Sequence, residues 1–480
     1  MHLKELLAGV EVLEDRSGKD VEISGICYDT RELKAGELFV ALPGYKTDGH
    51  RFLKEAVEKG AAAAVCERAP EEEGPWITVR DAREALAVLS ANWFGHPAKA
   101  LTVLAVTGTN GKTTTTSLLK WVLERTLGAR VGLIGTNQNM IGDEILPAKR
   151  TTPESYEVQR LLRAMVDAGC NWAVMEVSSH ALVLRRVEGI SFRAGVFTNL
   201  TQDHLDFHKS MEEYRRAKGL LFRQCDTAVL NLDDEAGRYY AGTVQVPKFT
   251  YSENKDRADL TAKNLRLFSD RVEFEAVTTG CIQRVRLPIP GGFSVYNALA
   301  VLACTLTLGI PLSRSAQALA DAPGVKGRVE VVHVSAPYTV LIDYAHTPDA
   351  LENVLTTVRD FAQGRVICLF GCGGDRDRSK RAVMGAIAAS LSDLVIVTSD
   401  NPRTEEPEAI IDDILSGMEG SDTPRLVEVD RRVAIRRALE LGKAGDVIVL
   451  AGKGHETYQE VGGERRHLDE REIVADYFAS

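Results

Sequence analysis

Apolar residues in this chain cluster in short runs. Each run ends at a glycine or a polar cluster and is followed by a stretch of helical period, the pattern of alternating strands and helices. In the first segment GELFVAL (from Gly36) and AAAAVCE (from Ala61) read as strands. RFLKEAVEKG between them reads as a helix stopped by its glycine. GHPAKA, near Gly95, reads as a linker. The second segment opens with the apolar run LTVLAVTG, followed by the helix pattern TTTTSLLKWVLERTLG. Strands WAVMEV, AGVFTNL and TAVLNLD follow, then a buried helix, NALAVLACTLTLG. In the third segment the strands YTVLIDY, RVICLFG, DLVIVTSD and DVIVLAG alternate with helices that begin near Pro348, Ser379, Pro407 and Arg431. Near-continuous apolar strands separated by helices predict a doubly wound, largely parallel sheet. The expected fold class is α/β in three domains: a small N-terminal α/β domain (1–97), a central P-loop ATPase-like domain (98–325) and a C-terminal Rossmann-like domain (326–480).

Composition narrows the function. With 480 residues, 44% apolar and 26% charged, the chain has room for three cores. A net charge of −10 argues against a nucleic-acid partner. No run is long and apolar enough for a signal-peptide core or a membrane span, so a cytoplasmic protein without membrane insertion is expected. The expected oligomeric state is a monomer. The 8 cysteines are scattered, and Cys368 and Cys372 do not form a C-x-x-C pair. Reduced buried thiols are expected, not a zinc or disulfide framework.

Three clusters carry chemistry. Gly108-Thr109-Asn110-Gly111-Lys112-Thr113-Thr114 lies between a strand and a helix. Glycines let backbone N–H groups turn onto phosphate oxygens, and the helix dipole points at the same place. Lys112 is expected to reach the β- and γ-phosphates of ATP, and the Thr113 hydroxyl a Mg²⁺ ion. The loop is a shortened variant, since Val106 stands where the usual spacing has a glycine. Glu176, near the end of WAVMEV, is expected as the second Mg²⁺ anchor. The run Asp203-His204-Leu205-Asp206-Phe207-His208 holds carboxylates and imidazoles suited to metal or phosphate work.

Taken in order, GTNGKTT, EVSSHA, TNLTQDHLDFH, Ala217-Lys218, GGFSVYN, Gly327-Arg328, DYAHTPD and GCGGDRDR resemble the Mur ligase family over nearly the whole chain. The resemblance implies ATP-dependent amide-bond formation in peptidoglycan precursor synthesis. ATP phosphorylates a substrate carboxylate, and an amine attacks the acyl phosphate. It implies Mg²⁺ held by Thr113, Glu176, His204 and Lys218, the last as a carbamate. Lys112, Lys218, His204 and Glu176 are then the catalytic set. Asn297 would face adenine, and Arg328 would help place ATP. Asp343, His346, Asp375 and Lys380 would lie on the same reaction face. The first domain resembles a uridine-binding domain, with Thr30, Tyr45 and Thr47 at the nucleotide. Thr151, Thr152, Ser178 and Arg186 match contacts to the diphosphate and dipeptide of UDP-N-acetylmuramoyl-dipeptide. Leu184 and Pro153 depart from the glutamine and glycine seen there in relatives.

Asp400-Asn401-Pro402-Arg403 resembles the signature of the members that add meso-diaminopimelate, and Gly452-Lys453-Gly454-His455-Glu456 fits the same subgroup. That amino acid differs from lysine by one distal carboxylate. Arg403 offers a bidentate fork for it, and Arg376 a second cation. Asn401, Glu456 and the Gly452 carbonyl suit the distal ammonium, with Asp400 in the same loop. The alternative is the same reaction with L-lysine, which would not need Arg403. A dinucleotide dehydrogenase fails, because a G-x-G-x-x-G pattern from Gly371 would need glycine where Arg376 stands. A nucleotide-driven binding switch would need neither the uridine-type domain nor the Arg403 loop.

Overall fold

A computed structural model describes residues 1–18, 20–44 and 47–479, without the side chain of Asp206. Tyr45 lies outside the described residues. The chain packs as two compact units, Met1–Tyr251 with Ala303–Ile310, and Ser252–Leu302 with Pro311–Ser480.

The first unit contains two sheets. In the N-terminal one, strands Ile26–Cys27, Leu38–Val40, Ala63–Cys66 and Trp76–Val79 run parallel in that order. Val12–Asp15 closes the edge antiparallel to Trp76–Val79. Residues 38–40 and 63–66 are buried throughout, so each face of the sheet has its own core: Leu38, Val40, Val65 and Ile77 on one, Phe39, Ala64, Cys66 and Trp76 on the other. The expected first helix forms as a 3₁₀ turn, Gly49–Phe52, running into Leu53–Glu58. It stops at Gly60, whose φ is +91°. The expected linker is a 3₁₀ turn, Pro97–Ala100.

The second sheet of this unit has six parallel strands in the order Lys248–Ser252, Ala228–Asn231, Ala194–Phe197, Thr102–Thr107, Trp172–Glu176, Val131–Ile134. Asn139–Ile141 and Glu144–Leu146 then add antiparallel strands. Thr102–Thr107 is central, and its residues beyond Thr102 are buried. Helix Lys112–Leu127 leaves its carboxyl end through the glycine loop and stops at Gly128, φ +63°. The N-terminal sheet docks on helix Ser155–Asp167. The Phe94 and Tyr156 rings lie 5.3 Å apart, and the Tyr28 hydroxyl donates to Glu157 Oε2 at 2.8 Å.

The second unit holds an antiparallel ribbon, Leu260–Leu267, Val272–Thr278 and Cys281–Leu287, and the last sheet. That sheet runs Glu330–Val332, Thr339–Asp343, Val447–Ala451, Val366–Phe370, Leu394–Val397, Arg425–Val427, with only the first strand antiparallel. Helices Pro348–Phe361, Ser379–Leu391 and Pro407–Ser416 cover one face, and Arg431–Leu441 and Glu470–Ala479 the other. The four expected strands and the four expected helix starts are present. No helix among the described residues is long and apolar enough to cross a membrane.

Candidate functional site

The phosphate loop begins where strand Thr102–Thr107 ends. Gly108 has φ +150°, and a Cβ there would sit 1.8 Å from Thr198 Oγ1, so the position excludes every side chain. Gly111, at φ +84°, turns the chain into helix Lys112–Leu127, which directs its N-terminal amides at the loop. The loop is laced to the next strand end. Thr109 N donates to the Asn199 carbonyl at 2.9 Å, Asn110 N to Asn199 Oδ1 at 2.9 Å, and Thr198 Oγ1 to the Asn110 carbonyl at 2.6 Å. Thr113 and Thr114 lie in the first helical turn. Lys112 Nζ donates to the carbonyls of Gly108 and Thr109, both at 2.8 Å.

Lys218, in helix Met211–Gly219, is 1% exposed, and its Nζ donates to the Gly108 carbonyl at 2.9 Å. The Tyr214 ring lies 4.4 Å from that nitrogen, and its hydroxyl lies 3.2 Å from Thr109 Oγ1. Burial first, then the charge of Lys112, holds the Lys218 amine well below the ordinary lysine range. The position that sequence alone makes an ordinary helical lysine is therefore a buried amine against the phosphate loop.

Glu176 ends the strand beside the loop strand, in register with Val106, and is 1% exposed. Its carboxylate accepts from the Thr136 amide and the Thr136 hydroxyl, each at 2.8 Å. A Cβ on Gly135 would meet Glu176 Oε1 at 2.6 Å. His204 sits in the left-handed region at φ +52°, with its ring edge-on to His180 at 4.8 Å. His208 is buried, bonded to Ser179 Oγ at 2.8 Å and stacked on Tyr214. No group of three or more His, Cys, Asp or Glu side chains among the described residues forms a metal cluster. The donor set is instead a hydroxyl, one buried carboxylate, an imidazole and a buried amine. Its two oxygen donors, the hydroxyl and the carboxylate, suit Mg²⁺, which binds one or two carboxylates and keeps phosphate and water oxygens; the amine would suit it only as a carbamate.

Beside it lies a second polar group. Thr152 is 1% exposed; its hydroxyl donates to the Glu176 carbonyl at 2.8 Å and accepts from Ser178 N at 3.1 Å. Thr151 Oγ1 lies 3.0 Å from Thr136 Oγ1, whose own hydrogen goes to Glu176. Arg186 donates to the Thr152 carbonyl at 3.0 Å and pairs with Glu154 at 3.0 Å, and burial lowers its guanidinium below the usual range. Glu154 also takes Arg150 at 2.7 Å and Arg83, from the N-terminal domain, at 3.3 Å. Ser178 caps helix Ser179–Val183, which leads to Leu184. In the N-terminal domain Thr30 is buried, and its carbonyl accepts from Lys59 Nζ at 2.8 Å, while Thr47 is exposed.

In the second unit the polar loops follow the carboxyl ends of the parallel strands. Asp400 and Asn401 are both buried. Lys453, 0% exposed, sets Nζ 3.0 Å from Asp400 Oδ1, 2.6 Å from Asn401 Oδ1 and 3.3 Å from Glu456 Oε2. Burial alone would raise the Asp400 carboxyl, but Lys453 and Arg431 outweigh it and hold it below the usual carboxylate value. Asn401 Nδ2 donates to Glu456 Oε2 at 3.0 Å. Arg403, at φ +54°, donates to the Gly374 carbonyl at 2.6 Å, with Glu460 Oε2 3.5 Å from its Nε. Its partner is thus neither neighbouring acid: Glu405 pairs with the fully buried Arg381, which holds that carboxyl down at about 2. Arg376 is exposed on the adjoining loop. Gly452, at φ +112°, would bring a Cβ within 3.1 Å of Asp400 Oδ2.

Asp343 is buried and its carboxyl is raised by burial, with Arg328 opposing. It accepts from Val329 N at 2.7 Å, and so fixes the turn that carries Arg328. His346 is exposed, and its carbonyl accepts from Lys380 Nζ at 2.7 Å. Asp375 accepts from the Thr404 hydroxyl at 2.7 Å. Asn297 lies within helix Gly292–Thr307 and is 4% exposed; it is not a helix N-cap.

The Mur ligase middle domain matches residues 106–305, the Mur ligase glutamate ligase domain residues 327–454, and the Mur ligase family catalytic domain residues 22–94. A protein of Clostridium botulinum (strain ATCC 19397 / Type A), named UDP-N-acetylmuramoyl-L-alanyl-D-glutamate--2,6-diaminopimelate ligase, is 46% identical over 483 residues, covering 99% of each chain. The chain belongs to the Mur ligase family. A solved structure described as a UDP-N-acetylmuramoyl-L-alanyl-D-glutamate--2,6-diaminopimelate ligase superposes on this Mur ligase with a TM-score of 0.73, at 32% identity, over 100% of this chain and 99% of that one. The MurF ligase from Thermotoga maritima, in complex with ADP, shares the fold at a TM-score of 0.60 and 20% identity, over 96% and 98% of the chains.

Sequence reasoning passed over several residues that organise this Mur ligase. Tyr214 lies one helical turn before Lys218, a spacing that pairs side chains on one face and was available as a signal. Arg83 and Glu154 are 71 positions apart and meet only through folding. Lys453 stood inside a motif already noted, but nothing in its spacing marks it as buried. The cysteines are free, and Cys281 is the exposed exception to the expectation of buried thiols.

Proposed function

We propose that this Mur ligase is an ATP-dependent ligase that joins meso-2,6-diaminopimelate to the D-glutamate of UDP-N-acetylmuramoyl-L-alanyl-D-glutamate. It would work in the cytoplasm as a monomer, in peptidoglycan precursor synthesis, through three domains bounded at 97 and 325. The observation that carries the amino-acid assignment is the loop Asp400–Arg403 packed against Lys453 and Glu456, with Arg403 supplying a cation for a distal carboxylate. A full-length relative named for diaminopimelate supports the same reading over the lysine alternative.

In this reading the glycine loop 108–114 cradles the ATP phosphates and Lys112 leaves its loop carbonyls to meet the β- and γ-phosphates. Asn297 faces adenine, and Arg328, held by its turn, helps place the nucleotide. Thr113, Glu176, His204 and Lys218 as a carbamate would hold Mg²⁺, which supplies charge neutralisation for phosphoryl transfer. The lowered basicity of Lys218 supports the carbamate, since only the neutral amine combines with carbon dioxide. Thr30, Tyr45 and Thr47 bind the uridine end, and Thr151, Thr152, Ser178 and Arg186 the diphosphate and dipeptide. The γ-phosphoryl group passes to the substrate carboxylate. The amine of diaminopimelate then attacks the acyl phosphate, and phosphate leaves. Arg403 and Arg376 take the distal carboxylate. Glu456 and the Gly452 carbonyl take the distal ammonium, with Asp400 behind them; Asn401, expected as a further acceptor there, has its oxygen taken by Lys453 and Glu460 N and instead orients Glu456.

Phosphate release from ATP with UDP-N-acetylmuramoyl-L-alanyl-D-glutamate, comparing meso-diaminopimelate, L-lysine and no amino acid, tests the reading. Release is expected only with meso-diaminopimelate. Release with lysine instead overturns the role of Arg403, and release with neither overturns the ligase assignment.

A further inference from the structure

Lys453 is among the most deeply buried cations of the last domain, and its surroundings are unusually acidic. Three oxygens from three residues surround its Nζ: Asp400 Oδ1 at 3.0 Å, Asn401 Oδ1 at 2.6 Å and Glu456 Oε2 at 3.3 Å. Nζ donates to Asn401 and Glu456, while Asp400 Oδ1 faces it as an ion pair without a hydrogen bond. A buried lysine keeps its charge only when so compensated.

The arrangement dictates how Asn401 stands. Its Oδ1 accepts from Lys453 and also from Glu460 N at 2.9 Å, so two donors hold the oxygen side of the amide. Flipping the amide would set its NH₂ against both donors. The NH₂ is therefore forced toward Glu456, where it donates to Oε2 at 3.0 Å. Glu456 in turn has Oε2 engaged by both Lys453 and Asn401, while its Oε1 takes no hydrogen bond among the described residues. Lys453 thus fixes the orientation of Asn401 and, with it, the rotamer of Glu456, a candidate ligand of the amino acid.

It also sets the charge. With Asp400, Glu456 and the neighbouring Glu470 ionised, the cations Lys453 and Arg431 leave a single net negative charge. A single negative charge matches one ammonium group. Without Lys453, two carboxylates would share a largely dry site, where like charges repel and one takes up a proton.

We propose that Lys453 is a positioning residue for the incoming amino acid: it orients Asn401 and Glu456 and trims their pocket to the charge that one substrate ammonium requires. This deepens the diaminopimelate reading and rests on it.

The test compares wild type with Lys453→Met and Lys453→Gln in phosphate release, with folding checked by circular dichroism and thermal unfolding. Lys453→Met removes both charge and donors. Lys453→Gln keeps an amide donor for Asn401 and serves if the methionine variant does not fold. In the folded variant the KM for meso-diaminopimelate is expected to rise at least fivefold. The KM values for ATP and for UDP-N-acetylmuramoyl-L-alanyl-D-glutamate should stay within twofold, and kcat at saturating amino acid should fall less than threefold. A smaller rise in the amino-acid KM, or a parallel change in all three, overturns the proposal. Wild type that releases no phosphate with meso-diaminopimelate overturns the underlying function instead, so the two failures are distinct.

Discussion

Lys112 and Lys218 donate to one and the same acceptor, the carbonyl of Gly108, at 2.8 and 2.9 Å. Two ammonium groups on one carbonyl repel each other. Burial and the charge of Lys112 together push Lys218 toward the neutral amine. Conversion of that amine to a carbamate would turn a donor beside Lys112 into an acceptor.

Lys218→Ala is accordingly expected to lower phosphate release by about 100-fold or more, in the range found when one electrostatic contributor to a transition state is removed. Formate or acetate should restore part of the activity by standing in for the missing carbamate. An alanine variant that no short carboxylic acid rescues would count against the carbamate.

The same residue makes a pH-dependent contribution to stability. Its folded value lies below the usual lysine value of 10.5, so between the two the unfolded chain binds the extra proton. Stability therefore rises with pH through that window and is lost as pH falls toward the folded value. In carbonate-free buffer Lys218→Met should be more stable than wild type near neutral pH. The gap should shrink by up to about 1.4 kcal/mol per pH unit as pH rises toward 9.5. Urea denaturation curves at several pH values measure it, and a gap that widens contradicts the argument.

Gly108→Ala places a methyl group on Thr198 Oγ1 at a φ of +150°. The backbone strain is about 1–3 kcal/mol, and the collision comes in addition. ATP affinity by calorimetry should fall at least about tenfold, since the loop can no longer close on Thr198. Unchanged affinity would mean that this loop does not hold the phosphates.

Arg403→Ala should cut kcat/KM for meso-diaminopimelate by about 100-fold, the loss expected for a charge-assisted pair with a carboxylate. Whatever activity L-lysine supports should change far less, because lysine lacks that carboxylate. Equal losses for both amino acids would make Arg403 a prop for the Gly374 carbonyl and nothing more.

Glu154, only 8% exposed, is the common partner of Arg83, Arg150 and Arg186. Glu154→Gln leaves three guanidinium groups facing one another, and removing one partner of a buried pair typically costs about 3 kcal/mol. A clear drop in the urea midpoint is expected. A midpoint equal to that of wild type would show that the arginines are solvated and their pairing incidental.

The parallel strands were legible because a strand buried on both faces leaves a continuous apolar run, as in 366–370 and 447–451. The ribbon 260–287 was not, because its strands are partly exposed and carry charge, with Arg284 and Arg286 opposite Glu275 and Glu273. The short hairpin Tyr458–Val461 with Glu464–His467 left no apolar trace for the same reason. At the site, the glycine loop and Glu176 could be read from their place after a strand. Lys218 needed the family resemblance, because its helix carries charged neighbours and only folding shows the buried face. Lys453 and Glu154 emerged only from the fold, since Asp400 and Asn401 reach the one, and Arg83 and Arg186 the other, from elements distant in sequence.

In the last domain the four central strands are almost wholly apolar, and the groups proposed to choose the amino acid lie on the loops that follow them. Stability and selectivity are therefore written in separate stretches of the chain. A change of accepted amino acid can accumulate in the residues after Phe370, Val397 and Ala451 while the barrier against unfolding, set by the layers beneath, stays where it was. Such a scaffold lets a lineage change the chemistry of what it joins without first rebuilding the frame that holds it.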